Sequence, residues 1–108
     1  MTKTYQKQNL QVAKIIAEQI GNRAFTMMGT NRLVAIDKGL QFNVRGLRGR
    51  NNINQIVIRL NGLDYYDIEF NHYSKKTFST NLVNGVDNIS VDVLHKIIEE
   101  YTGLYLSL

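Results

Sequence analysis

The residues best suited to chemistry lie in a short basic segment near the middle of the chain, where Arg45, Arg48 and Arg50 alternate with two glycines and precede two asparagines. Arginine binds phosphate through two parallel hydrogen bonds, and glycine lets a backbone approach its ligand closely. The segment predicts contacts to nucleic-acid phosphates, with Arg32 and Lys38 extending the basic patch. The alternative interpretation is a solvated connection whose arginines serve solubility.

A second group of reactive side chains comprises Asp67, Glu69 and His72, since two carboxylates and an imidazole can bind a divalent metal. Strand alternation, however, turns His72 away from Asp67, and the pattern is typical of a polar sheet face paired with Arg59. His95 is the only other histidine, cysteine is absent, and no Ser-His-Asp arrangement or Walker motif occurs. We expect no catalytic residue, no metal site and no cofactor, and hence no enzyme.

Positive charge is concentrated in the first half of the chain. Residues 1–50 carry nine Lys and Arg against two acidic residues, whereas residues 51–108 carry four against seven. This asymmetry fits a polyanionic partner, or attraction between the two halves within or between molecules. The 108 residues suit one domain. Without a signal-like or bilayer-spanning apolar segment, we expect a soluble cytoplasmic protein that does not bind membranes.

The elements that position these residues follow from hydrophobic periodicity. The clearest is a hairpin within Ile53 to Phe70, whose two arms both alternate apolar and polar residues. In the last strand, Phe78 and Leu82 are predicted to face the core, and Asn84-Gly85 to break the chain. The predicted order is a flexible arm over 1–8, a helix from Asn9 to Gly21, strands over Arg23–Thr30, Arg32–Ile36, Leu40–Val44, Gln55–Leu60, Tyr65–Phe70 and Thr77–Leu82, and a helix over Ser90–Thr102.

Turn composition predicts the register of two hairpins. A two-residue Asn-Gly turn would place Ile56 opposite Asp67, so we prefer a three-residue loop that pairs Ile58 with Tyr66. The same reasoning at Asp37-Lys38-Gly39 pairs Ile36 with Leu40. The whole pattern predicts a single α+β domain over residues 1–108 with about five strands from these segments, of order α-β-β-β-β-(β)-α, and with two helices packed on one face of an antiparallel sheet.

The C-terminal tail is a candidate binding element. Leu104, Tyr105, Leu106 and Leu108 make it too apolar for a free end, so we expect it to pack down, in the same molecule or a neighbour. Tyr65, expected on the outer face of the sheet, is a further candidate contact for a partner. Both features suit a host-protein partner or a homodimer.

Three groups of residues together resemble a known family. They are Gly21-Asn22-Arg23-Ala24-Phe25 with Met28-Gly29, then Leu60-Asn61 with Asp64, Tyr66-Asp67 and Glu69-Phe70, and finally Thr102-Gly103-Leu104-Tyr105 with Leu108. The family consists of small uncharacterised proteins carried by bacteriophages, plasmids and other mobile elements, and it has no established activity. The resemblance covers most of residues 20–108 and does not include the arginines of the basic segment. It implies a mobile-element origin without implying a reaction.

These observations lead to one functional expectation and one alternative. We expect a small non-catalytic protein of phage or mobile-element origin that binds a protein partner or associates with itself. The alternative is nucleic-acid binding through Arg45, Arg48 and Arg50.

Overall fold

The described residues form three α-helices and a five-stranded antiparallel sheet. The computed structural model describes the backbone of residues 2–45 and 52–106 and the side chains of residues 8–45 and 52–106. The elements are α1 (Thr2–Ile20), α2 (Asn22–Met28), β1 (Asn31–Ile36), β2 (Gly39–Asn43), β3 (Gln55–Leu60), β4 (Tyr66–Ser74), β5 (Ser79–Ile89), a 3₁₀ turn (Val91–Val93) and α3 (Leu94–Thr102).

The strands follow one another in chain order across the sheet, from β1 to β5, and each pairs antiparallel with its neighbour. Alternate residues of the strands join apolar side chains of the helices in one core. The aromatic rings of Phe25 and Phe42 meet edge to face at 5.4 Å, and those of Phe70 and Tyr101 stack at 4.9 Å. The predicted α+β class is confirmed, with three helices rather than two. Central core residues are Ile16, Ile20, Met28, Phe42, Ile56, Ile58, Ile68, Phe70, Leu94 and Ile98.

The segment predicted as a strand over Arg23–Thr30 is helix α2 instead. Its buried residues are Ala24, Phe25 and Met28, which share one helical face. Gly29 ends the helix in the left-handed conformation, at φ 64°, which glycine adopts without steric cost. Two helical turns are too few for periodicity to distinguish from strand alternation, so the prediction was wrong.

Helix α1 begins at Thr2 and so includes residues 2–8 of the predicted arm, which makes the predicted helix start at Asn9 wrong. Asn9 does not cap the helix. Its side-chain oxygen instead accepts a hydrogen bond of 3.0 Å from the backbone amide of Lys38. The predicted end of the helix at Gly21 is confirmed: its amide bonds the Ala17 carbonyl at 2.8 Å, and its φ is 89°.

The β3–β4 hairpin differs from its predicted register by two residues, with Ile58 opposite Ile68 and Leu60 opposite Tyr66. A shift of two keeps each side chain on its predicted face. The loop is longer because the Asn61 side-chain oxygen accepts hydrogen bonds from the amides of Leu63 and Tyr65, at 2.8 and 3.2 Å.

The β1–β2 turn is tighter than predicted, since Ile36 pairs with Gly39 rather than with Leu40. Lys38 takes the left-handed conformation in this turn, at φ 57°. Gly39 is the first residue of β2, and a β-carbon at this position would lie 2.1 Å from the Ile58 carbonyl oxygen. This glycine is required by close approach of two strands and not by the turn.

Strand β5 is longer than predicted and runs through Asn84-Gly85 without a break. Phe78 and Leu82 are 81% and 65% exposed, so their predicted core positions are wrong. The pairing of β5 with β4 is irregular at two places, so side chains of β5 do not alternate regularly between the core face and the outer face. Val83, rather than Leu82, packs partly against the core.

Candidate functional site

The two ends of the sheet differ in charge, because antiparallel connectivity gathers residues that are distant in sequence. We call the end formed by the start of β1, the end of β2 and the β4–β5 turn the basic end, and the other the acidic end. The basic end carries Arg32, Arg45, Lys75 and Lys76. The acidic end carries Asp37, Lys38, Asp64, Asp67 and Asp87.

This arrangement divides the predicted phosphate contacts. Arg32 and Arg45 share the basic end, whereas Lys38 lies at the opposite end of the β1–β2 hairpin, so the expectation that Lys38 extends the same patch is wrong. The strands between them would separate the two ends by about 17 Å. Arg48 and Arg50 lie outside the described residues.

Arg45 has a structural role. Its amide donates a 2.9 Å hydrogen bond to the Met28 carbonyl, and its guanidinium donates one of 3.4 Å to the Met27 carbonyl. These carbonyls lie in the last turn of α2, where a cation complements the helix dipole. Arg45 thus joins the start of the basic segment to the end of α2.

A polar cavity of about 360 Å³ lies at the basic end, with Arg32 and Lys75 both in its lining. Amide side chains and an aromatic ring complete it: Asn31, Asn43, Asn54 and Tyr73. Asn54 is fixed there because its side chain donates to the Tyr73 carbonyl at 3.0 Å and accepts from the Tyr73 amide at 2.8 Å. Lys75 was not predicted as a site residue from the sequence.

Arg32 has an unusual backbone within β1, with φ 54° at an irregularity in the pairing with β2. For a residue other than glycine this conformation costs roughly 1–2 kcal/mol. Among the described residues, no carboxylate forms an ion pair with Arg32 or Lys75. By contrast, Arg59 is neutralised by Glu69 at 3.0 Å.

The outer edge of β5 is an unpaired strand edge. Within the described part of the chain, β5 pairs only with β4, and its other edge meets no strand. At 11 residues it is long for an edge strand, and it carries no Lys or Arg. The other edge strand, β1, has six residues and contains the strained Arg32.

The apolar tail packs within its own molecule. Leu104 and Leu106 are each 2% exposed and belong to the core, so they are not available to a partner. The Thr102 hydroxyl accepts a 3.1 Å hydrogen bond from the Leu104 amide, and Glu99 accepts one of 2.9 Å from the Leu106 amide. Leu108 lies outside the described residues.

The two tyrosines proposed as partner contacts remain on the surface. Tyr105 is 74% exposed and Tyr65 is 44% exposed. Tyr65 lies in the β3–β4 loop rather than on the face of a strand, because Asn61 bonds its amide.

Asp67 and Glu69 have separate hydrogen-bonding roles. Asp67 accepts bonds from the Asn61 side chain at 2.9 Å and from the Asn88 amide at 3.1 Å. Glu69 pairs with Arg59, and the His72 ring bonds the Asn52 carbonyl at 2.8 Å. Within the described residues, no group of three or more histidines and carboxylates is placed to hold a metal ion.

Comparison of the chain with protein-family models, curated proteins and solved structures finds no significant match. None of the helices in the described part of the chain combines the length and apolar character needed to cross a bilayer.

Proposed function

We propose that this protein acts without catalysis, by assembling with a second copy of itself through pairing of the two β5 edges. The observation that carries this proposal is the long, unpaired edge of β5, which lacks the lysines that commonly protect such edges. A mobile-element origin rests on the sequence resemblance alone and is part of the same proposal.

The core also supports pairing at this edge. Val83, Val86 and Ile89 pack against the core but remain only partly buried, because no further strand lies beyond β5 among the described residues. Leu82 is exposed on the same strand. A second β5 would cover these side chains while satisfying the free backbone groups.

Charge complementarity favours a second copy as the occupant. β5 begins beside Lys76 at the basic end and finishes near Asp87 at the acidic end. Antiparallel pairing about a two-fold axis therefore sets the basic end of each copy beside the acidic end of the other. With Asn84, the central residue of β5, on the axis, Ser79 of one copy lies opposite Ile89 of the second, which brings the basic end of each copy to the acidic end of the other.

Sedimentation velocity tests the proposal with a charge placed on the pairing edge. Leu82→Lys introduces a charged side chain beside the paired backbone, so we expect it to be monomeric at concentrations at which the parent protein is dimeric. Leu33→Lys is the matched control, since Leu33 is 50% exposed on β1, at the opposite edge of the sheet from β5. We expect this control to remain dimeric.

A parent protein that is monomeric up to millimolar concentration would refute the proposal. Equal dissociation of both lysine variants would refute the assignment to β5, since a general effect of charge would then explain the result.

A second candidate function is nucleic-acid binding at the basic end, favoured by the position of Arg32, Arg45, Lys75 and Lys76 at the same end of the sheet. Fluorescence anisotropy with labelled DNA and RNA at two salt concentrations tests it. We expect log K to fall by about 0.9 per duplex phosphate contact for each tenfold rise in salt. Salt-independent binding, or none at low salt, would contradict it.

A further inference from the structure

We propose that the cavity between Arg32 and Lys75 is a binding site for a single phosphate group. The inference requires neither self-association nor binding along a nucleic-acid strand, since the residues that line the cavity form the site within one molecule.

The lining supplies the groups that phosphate recognition needs. A guanidinium and an ammonium group provide charge, and the side chains of Asn31 and Asn43 add neutral hydrogen-bond donors. Two cations without a carboxylate partner in the described chain leave the cavity positively charged. A volume of about 360 Å³ lies at the lower end of the range for small-molecule sites.

The backbone of Arg32 also supports a ligand-binding role. Most left-handed residues of this chain other than glycine lie in turns, where the conformation closes the chain, but Arg32 lies inside a strand. Asn88 is also within a strand, and there its amide and side chain hydrogen-bond Asp67 and Asn61. No described contact of this kind compensates Arg32. Residues in this conformation occur at strand bulges and cluster at ligand-binding sites, so the backbone of Arg32 agrees with a site at this position.

The lining favours phosphate over an apolar ligand or a metal cation. Val44 is the only aliphatic residue among the described residues that line the cavity, and no carboxylate is among them. The rigid Asn54–Tyr73 pair holds one wall in place, so the cavity does not need to form on binding.

Titration with inorganic phosphate, followed by NMR of the ¹⁵N-labelled full chain, tests the inference. We expect saturable shifts at the amides of Asn43 and Asn54. Arg32→Gln and Lys75→Gln should each weaken binding about tenfold or more, because each removes a charged hydrogen-bond donor. Glutamine has a β-carbon too, so Arg32→Gln removes the charge while retaining the backbone strain.

Two substitutions provide matched controls. Lys14→Gln and Arg23→Gln remove the same charges from side chains on α1 and α2, outside the cavity lining, and we expect phosphate affinity within about twofold of the parent. A linear, unsaturated response, or equal loss in all four variants, would overturn the inference, because the general positive field would then explain the binding.

Competition with a short thymidine oligonucleotide identifies the source of the phosphate. Displacement of inorganic phosphate would indicate a nucleic-acid backbone, whereas binding of phosphate without displacement would indicate a small phosphorylated molecule. Sedimentation of Arg32→Gln separates this inference from self-association: Arg32 lies on β1, away from β5, so the variant should lose phosphate binding and remain dimeric.

Discussion

Substitution of Leu106 by alanine tests whether the C-terminal tail belongs to the core of its own molecule. The Leu106 side chain is 2% exposed, and the Glu99 carboxylate holds its amide. Replacing a buried leucine with alanine in a core costs about 2–5 kcal/mol. Because residues 103–106 lie outside helices and strands and can relax around the cavity, we expect the lower part of that range, about 2–3 kcal/mol.

The loss should be readily measurable. A domain of this size has an unfolding free energy of about 5–15 kcal/mol, and each kcal/mol changes Tm by roughly 4–8 °C. We therefore expect Leu106→Ala to lower Tm by roughly 10–20 °C. Circular dichroism during urea and thermal unfolding provides the assay, because the chain has no tryptophan.

Tyr105→Ala is the matched control, since the adjacent side chain is 74% exposed and should change stability by no more than about 0.5 kcal/mol. Both variants are best measured with Leu82→Lys also present, so that self-association does not contribute to the unfolding free energy. Unchanged stability in Leu106→Ala, or an equal loss in Tyr105→Ala, would refute the tail's assignment to the core.

Two further predictions concern the strands. Gly39→Ala should destabilise the protein by about 1–3 kcal/mol in thermal unfolding, because its β-carbon would meet the Ile58 carbonyl. Gly62→Ala is the control and should be neutral, since a β-carbon at Gly62 would have no atom within 4 Å. Similar losses of stability in both variants would contradict the close approach at Gly39. Burial raises the pKa of the Tyr66 phenol above its usual value, opposed by its hydrogen bond to Gln19. The unfolded chain therefore loses this proton first, and stability from Tyr66 is lost as pH rises above about 10. Tyr66→Phe should weaken that decline in urea unfolding measured across alkaline pH, and identical pH profiles would contradict it.

Local patterns were sufficient to predict the buried faces of β3 and β4. Ile56, Ile58 and Ile68 lie at alternate positions of these strands, and the structure buries them as predicted because alternation depends only on neighbouring residues. Gly21 and Gly103 end helices for an equally local reason, since each takes a positive φ that glycine tolerates.

Register and length were harder to predict because they depend on contacts between distant residues. The Asn61 side chain organises the long β3–β4 loop, and Asn-Gly composition alone favoured shorter turns. Phe78 and Leu82 fit a core pattern, but Phe78 lies in the β4–β5 turn and irregular pairing of β5 with β4 leaves Leu82 exposed. No local pattern signals such a bulge.

The candidate phosphate site also combines a residue that the sequence predicted with one that only the fold reveals. Arg32 was predicted from charge, but its neighbour Lys75 comes from a different hairpin, and only the order of strands brings the two together. Lys38 was predicted with Arg32 for the same reason of charge, and the β1–β2 hairpin separates them.

Single-cysteine cross-linking along β5 tests the pairing of two copies most directly. The chain has no cysteine, so each disulfide reports one introduced site. Opposing residues in an antiparallel pair have Cα atoms about 4.5–5.5 Å apart, which suits a disulfide. At Thr80, a two-fold pairing about Asn84 would separate the two copies by roughly 27 Å.

We expect oxidation to cross-link Asn84→Cys or an immediate neighbour efficiently and to form no intermolecular disulfide in Thr80→Cys. A single maximum at the centre of β5 would support two-fold strand pairing. Absence of cross-linking throughout residues 82–86, or equal cross-linking at Thr80, would contradict it.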